Sequence, residues 1–202
     1  MKLYYATAAC SLCTRIVLNE AGFTFASQLV AMKTHTLDDG SDYYAINPKG
    51  CVPLLQLDNG ESLTENAVIV QWIADQVPDK HLLPKQGTMA RYRVLEWLNF
   101  IATELHKNFS PLFNPVLSED AKNVSKKIIL KRLAWVNAQL AGKTYLVDNN
   151  YSVADAYLFV VCNWADLIQL DTHTLTNLQA FMAVVAARPA VQKSLQEEGL
   201  QR

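Results

Sequence analysis

An α/β unit followed by an all-helical one is the architecture this sequence predicts, and three observations carry it. Residues 1–76 alternate short apolar runs with helical periodicity in the order β-α-β-loop-β-β-α. A stretch of turn formers, "VPDKHLLPKQGT", then interrupts the pattern with two prolines and a glycine. Beyond it, each periodic segment repeats at helical spacing. The expected division is an α/β domain over 1–80, a linker over 81–87 and a helical domain over 88–202.

"KLYYA" is a compact apolar strand, and "SLCTRIVLNEAG" follows with Leu12, Ile16 and Val17 at helical spacing before the stop at Gly22. "FTFASQLVAM" completes a β-α-β unit. The polar stretch "KTHTLDDGSDYYAINPKG" has little periodicity, and loops of this length in compact domains tend to be functional. "VPLLQLDNGESLT" carries two apolar runs around Asp58-Asn59-Gly60, a hairpin signature. In "TENAVIVQWIADQ", Thr64 is placed to cap a helix and Glu65 to occupy its first turn, and the apolar interior predicts burial all round. After the linker, helices are expected over Met89–Asn108, Ala121–Leu140 and Val153–Leu170, with shorter ones beyond. The third opens on a capping box, Ser152 with Asp155 three residues on.

Half of the 202 residues are apolar, enough for a substantial core, and the formal net charge is -1. Neither nucleic acid nor an anionic membrane surface has an electrostatic claim on such a chain. Residues 1–80 hold nine acidic and five basic side chains, the remainder ten and thirteen, a mild asymmetry. No apolar run approaches the roughly 18 residues of a membrane span. "TAAC" echoes a lipoprotein cleavage site, but the nine residues before Cys10 are too few for a signal segment, so Met1 is read as the mature start and the compartment as cytoplasmic. Four cysteines scattered over the chain do not form the dense framework of a secreted domain and are expected to be reduced.

Two of them carry a chemical argument. Ser11 reads as the N-cap of the first helix, placing Cys10 just before it and Cys13 in its opening turn. There the helix dipole should lower the Cys10 pKa and make a thiolate accessible near neutral pH. Cys13 shares a face with Ile16 and Val17 and fits a small core residue; a resolving thiol for Cys10 stays open beside that reading, because C-x-x-C near a β-α-β unit signals redox exchange. A zinc site lacks the second ligand pair it needs, so no metal is expected. In "ARYRVLEWLNFIATELHKNF", Asn99, Thr103, His106 and Lys107 form one polar stripe, which either faces water or lines a cleft. Lys122, Lys126, Lys127, Lys131 and Arg132 read as a solvated helix face.

Taken in order, "ACSL", "NPKGCVPLL", "LTENAVIVQWIAD", "EWLNFIATELHK" and "SVADAYLF" make the whole chain resemble the bacterial beta-class glutathione S-transferases. The resemblance implies a thioredoxin-like N-terminal domain, an all-helical C-terminal domain and a homodimer whose active site lies in the cleft between domains. It makes Cys10 the active-site cysteine and His106 its partner. Val52, followed by a Pro53 that the family keeps cis, would offer its backbone to the cysteinyl part of glutathione. Glu65 and Asn66 would hold the γ-glutamyl end, with the helix N-terminus suited to its carboxylate. Asn99, Thr103, Glu104 and Lys107 match further glutathione contacts, which turns the polar stripe into a cleft wall, and Trp164 matches an aromatic near the electrophile pocket.

Three departures stand out. His35 replaces a frequent lysine, making a salt link to glutathione pH-dependent or absent. Asn66 replaces a smaller residue, and Cys13 and Cys51 stand where thiols are unusual. The implied activity is conjugation of the glutathione thiolate to small hydrophobic electrophiles, with glutathione as co-substrate and a mixed disulfide on Cys10 as a further capability. Two rivals are a glutaredoxin-like oxidoreductase using Cys10 and Cys13, and a binding module that keeps the fold without catalysis.

Overall fold

A computed structural model describes residues 1–200, and the chain divides into two compact units. The first comprises Met1–Leu82 together with the last helix; the second is Leu83–Arg188.

In the first unit four strands, β1 (Lys2–Tyr5), β2 (Ala26–Leu29), β3 (Leu54–Gln56) and β4 (Ser62–Thr64), form one mixed sheet in the order β2-β1-β3-β4. β1 runs parallel to β2 and antiparallel to β3, and β3–β4 is the hairpin around Asn59-Gly60. Helix α1 (Ser11–Ala21) ends at Gly22, whose φ of 79° suits the left-handed cap that a side chain would strain. Helix α2 (Asn66–Gln76) packs beside α1. Leu3, Ile16, Leu18, Leu55, Ile69 and Ile73 are all fully buried between sheet and helices. α2 buries only one face: Val68 is 48 % exposed, so the expectation of burial all round is corrected. Its apolar residues outnumber the positions that touch the sheet and α1.

The second unit begins at α3 (Met89–Phe100), capped by Thr88, whose hydroxyl accepts from Arg91 N–H. The helix does not continue regularly to Asn108 as its spacing implies. A π turn occupies Ile101–His106, followed by one α turn at Lys107–Phe109. α4 (Glu119–Gln139) starts at the cap Ser118, and its basic residues lie toward solvent except where Lys122 pairs with Glu119 and Arg132 with Glu104. α5 (Val153–Leu167) is apolar all round and forms the centre of this unit. Its capping box is present as expected, with Asp155 accepting from Ser152 N–H and hydroxyl and from Leu146 N–H. α6 (Thr176–Ala186) closes the unit. α7 (Pro189–Glu197) then returns to the first unit and packs along α1. No helix among the described residues is long and apolar enough to cross a membrane.

Candidate functional site

Cys10 is itself the N-cap of α1. Ser11, expected in that role, is the first helical residue, because its hydroxyl is already engaged with the N–H and C=O of Ala6, 3.2 Å each. The Cys10 side chain does not cap the helix; its Sγ donates to the carbonyl of Val52 at 3.2 Å. The thiol does not sit low. Burial pushes it up to about 12, outweighing its main-chain hydrogen bonds, and the nearby Cys51 and Glu65 act in the same direction. The dipole-lowered thiolate expected from sequence is thus overturned: a helix terminus contributes about 1 kcal/mol, less than it costs to bury a thiolate.

The turn that meets Cys10 is held firmly. Tyr43 Oη and Asn47 Nδ2 both donate to the carbonyl of Cys51, at 2.9 and 2.6 Å, and the Val52–Pro53 peptide is cis. Tyr43 belongs to a cluster with Tyr4, Val30 and Leu54, on which Val52 also packs. Glu65, at φ 69°, is the N-cap residue of α2 in place of Thr64, which ends β4. Lys49 Nζ bridges the two, donating to Thr64 Oγ1 at 2.9 Å and Glu65 Oε1 at 2.7 Å. Both partners of this ion pair are more than half exposed.

Three further residues singled out in the sequence belong to this unit. Asn66 is buried with its side chain turned inward, Oδ1 accepting from Thr14 Oγ1 at 2.9 Å while Nδ2 makes no hydrogen bond. Cys13 is fully buried and burial pushes its thiol up to about 12, with the Asn66 side chain opposing. His35 adopts φ 54° and lays its ring on Tyr44, centroids 4.6 Å apart, leaving Nδ1 buried without a hydrogen bond.

In the second unit the polar stripe runs across the π turn, with Thr103 and His106 in it, Asn99 before it and Lys107 after it. Asn99, Thr103 and Lys107 are exposed, and Thr103 Oγ1 returns a bond to the Asn99 carbonyl at 3.1 Å. Glu104 reaches Arg132 Nη2 at 2.6 Å. His106, half-buried, places Nδ1 2.7 Å from Tyr157 Oη and meets the Trp164 ring edge-on at 4.8 Å. Phe109 and Phe113 also pack edge-on against Trp164.

Sequence reasoning missed Lys49, Tyr157 and Glu198. Tyr157 left a usable signal, since it stands seven residues before Trp164 on one helix face. Glu198 left none. It is buried, accepts from Arg15 Nε at 2.9 Å and from Ala8 N–H at 3.0 Å, and so ties the turn before Cys10 to a residue far away in sequence.

Residues 8–76 match the family model for the glutathione S-transferase N-terminal domain, and residues 100–189 that for the C-terminal domain. The chain is 44 % identical to glutathione S-transferase GstA of Escherichia coli O157:H7, covering 99 % of this chain and all of the relative. Glutathione S-transferase GST-4.5 of Xanthomonas campestris is 37 % identical over 99 % of this chain and 100 % of its own. Among solved structures, the bacterial transferase BphK in a ternary complex superposes with a TM-score of 0.97 at 48 % identity, covering 99 % of this chain and 100 % of that one. A sphingomonad glutathione S-transferase complexed with glutathione gives 0.95 at 40 % identity over the whole of both chains.

Proposed function

The chain belongs to the glutathione S-transferase family, and from that premise we propose that it conjugates the thiolate of glutathione to small hydrophobic electrophiles. It is a glutathione transferase in fold and in its relatives; the electrophile class and the roles of individual residues are our reading. The observation that carries this reading is the meeting of Cys10 Sγ with the Val52 carbonyl at the N-terminus of α1. The backbone of Val52 would pair with the cysteinyl part of glutathione and bring its sulfur beside Cys10. Glu65 would take the ammonium of the γ-glutamyl end, with its Lys49 contact yielding on binding, and the main-chain N–H groups of α2 would take its carboxylate. With Asn66 turned inward, that role falls to backbone and not to its amide.

A thiol held near 12 is a hydrogen-bond donor at neutral pH. Cys10 therefore serves bound glutathione as a donor to its sulfur, not as the conjugating nucleophile. Its capacity for a mixed disulfide follows when the Cys10 thiolate attacks a glutathione disulfide and releases one glutathione thiolate, a step slowed by burial. His106, with Asn99, Thr103, Glu104 and Lys107, supplies the polar contacts of the second unit, and the rings around Trp164 favour an aromatic or otherwise apolar electrophile. Burial of Cys13 supports a packing role over a resolving one.

The protein would act as a homodimer in the cytoplasm. Trp97, Phe100 and Trp135 stack on one another beside a groove of about 570 Å³, and Val124 and Ile128 continue the exposed apolar line along α4. An apolar face of this kind on one chain favours a covering partner.

Turnover of chlorodinitrobenzene with glutathione tests the reading. Conjugation that survives in Cys10→Ala with a modest loss is expected. A protein that neither binds immobilised glutathione nor turns over the electrophile would favour the non-catalytic binding module. Loss of disulfide reduction in Cys13→Ala would restore the glutaredoxin-like alternative.

A further inference from the structure

His106 sits at the end of a π turn, where the backbone no longer follows the α-helical repeat. Its ring is held on two sides by residues of α5. Tyr157 Oη lies 2.7 Å from Nδ1, and the rings of Tyr157 and Trp164 both meet the imidazole edge-on, at 5.9 and 4.8 Å. Tyr157 is 2 % exposed and so has little freedom to move away. The two aromatics are seven residues apart, on one face of the helix, so the placement of α5 sets both at once. That placement is anchored at its first turn by the Ser152–Asp155 capping box and the bond from Leu146 N–H to Asp155.

A neutral imidazole offers one donor and one acceptor, and the partner of one nitrogen decides which role the other plays. A phenol is a stronger acid than an imidazole N–H, so the favoured contact has the hydroxyl donating to the ring nitrogen. We propose that Tyr157 is a positioning residue for catalysis: it donates to His106 Nδ1, keeps the proton of the neutral ring on Nε2, and so makes Nε2–H the donor offered to the glutathione sulfur. The inference rests on the reading above that His106 serves bound glutathione. In the opposite tautomer Nε2 would turn a lone pair toward an anionic sulfur and repel it. No proton moves between Tyr157 and His106 in this role; the hydroxyl selects the tautomer and ring angle before glutathione arrives.

The test is ring-nitrogen NMR of His106, assigned by its loss in His106→Gln, together with steady-state kinetics of Tyr157→Phe. The full-length wild type should show the Nε2–H tautomer. Tyr157→Phe keeps the ring contacts and removes only the hydroxyl; it should mix the tautomers and lower kcat about tenfold, with a much smaller change in KM for glutathione. A wild-type signal from the Nδ1–H tautomer, or a Tyr157→Phe enzyme with unchanged tautomer and unchanged kcat, would overturn the proposal. If His106→Gln itself keeps full kcat, the role given to His106 fails, and the NMR result still reports whether Tyr157 sets the ring.

Discussion

Cys10 Sγ donates to the main-chain carbonyl of Val52, which belongs to the cis peptide joining it to Pro53. The contact places the Cys10 thiol against the backbone edge that glutathione is proposed to use, and burial there holds it up to about 12. A thiol so placed stays protonated through the neutral range and labels slowly.

Iodoacetamide should therefore modify the exposed Cys51 well ahead of Cys10, with fully buried Cys13 and nearly buried Cys162 protected until the protein unfolds. The labelling rate of Cys10 should climb about tenfold for each pH unit through the mildly alkaline range without a plateau, since only the thiolate reacts. Site-resolved mass spectrometry reads both. A plateau near neutral pH would mean that the helix terminus outweighs burial.

Glu198 offers a test of how the turn before Cys10 is supported. Its carboxylate is met by Arg15 and by the N–H of Ala8, which holds φ 59° two residues from the thiol. Glu198→Ala leaves the Arg15 guanidinium, also bonded to Ser27 and Glu197, without its deepest partner. A loss of about 3 kcal/mol in denaturant unfolding is expected. Glu198→Gln, which retains an acceptor for Ala8, should cost less.

Gly50 has φ 64°, and a Cβ there would stand 2.5 Å from Tyr44 Cε1 and 3.1 Å from His35 Nδ1. Gly50→Ala must displace the Tyr44–His35 stack as well as strain the backbone. It should destabilise the protein by about 1 to 3 kcal/mol and weaken glutathione binding, measured by calorimetry. Unchanged affinity would show that this stack is remote from the ligand.

Asp155 gives a pH signature. Burial raises its carboxyl from 3.8 to about 6 against the opposing bonds from Leu146 and Ser152. The folded chain thus keeps a proton that the unfolded chain has released, so this contribution to stability is complete below about pH 4 and declines as pH rises through about 6. Urea unfolding of wild type and Asp155→Asn across that window should show the advantage of wild type shrinking with pH. An advantage that grows instead would place the carboxyl below its ordinary value.

Dimer formation is tested at Trp135, which is 46 % exposed on α4 against Trp97 and Phe100. Trp135→Glu should shift the protein toward monomer in sedimentation equilibrium while its far-ultraviolet dichroism is retained. A variant that sediments like wild type would exclude this face.

Much of the architecture was legible because its signals are local. Alternation and turn residues located the β3–β4 hairpin, Gly22 stopped α1, and Ser152 with Asp155 announced the start of α5. Local signals failed where distant atoms competed for the same group. Ser11 looked like a cap, yet Ala6 had already engaged its hydroxyl; Thr64 looked like a cap, yet it closed β4 and bound Lys49. The regular spacing of Asn99, Thr103, His106 and Lys107 gave no warning of the π turn that carries Thr103 and His106 and ends just before Lys107.

The sequence by itself determined the order of elements and the family, because side-chain periodicity, turn chemistry and short motifs are properties of neighbours along the chain. Only the tertiary structure decided the state of Cys10, the inward turn of Asn66, the return of α7 onto α1 and the grip of Tyr157 on His106. Each of these depends on burial or on a hydrogen bond between residues far apart in the chain. A thiol at a helix start is activated or silenced by how much water is left around it, and that quantity exists only once the chain has folded.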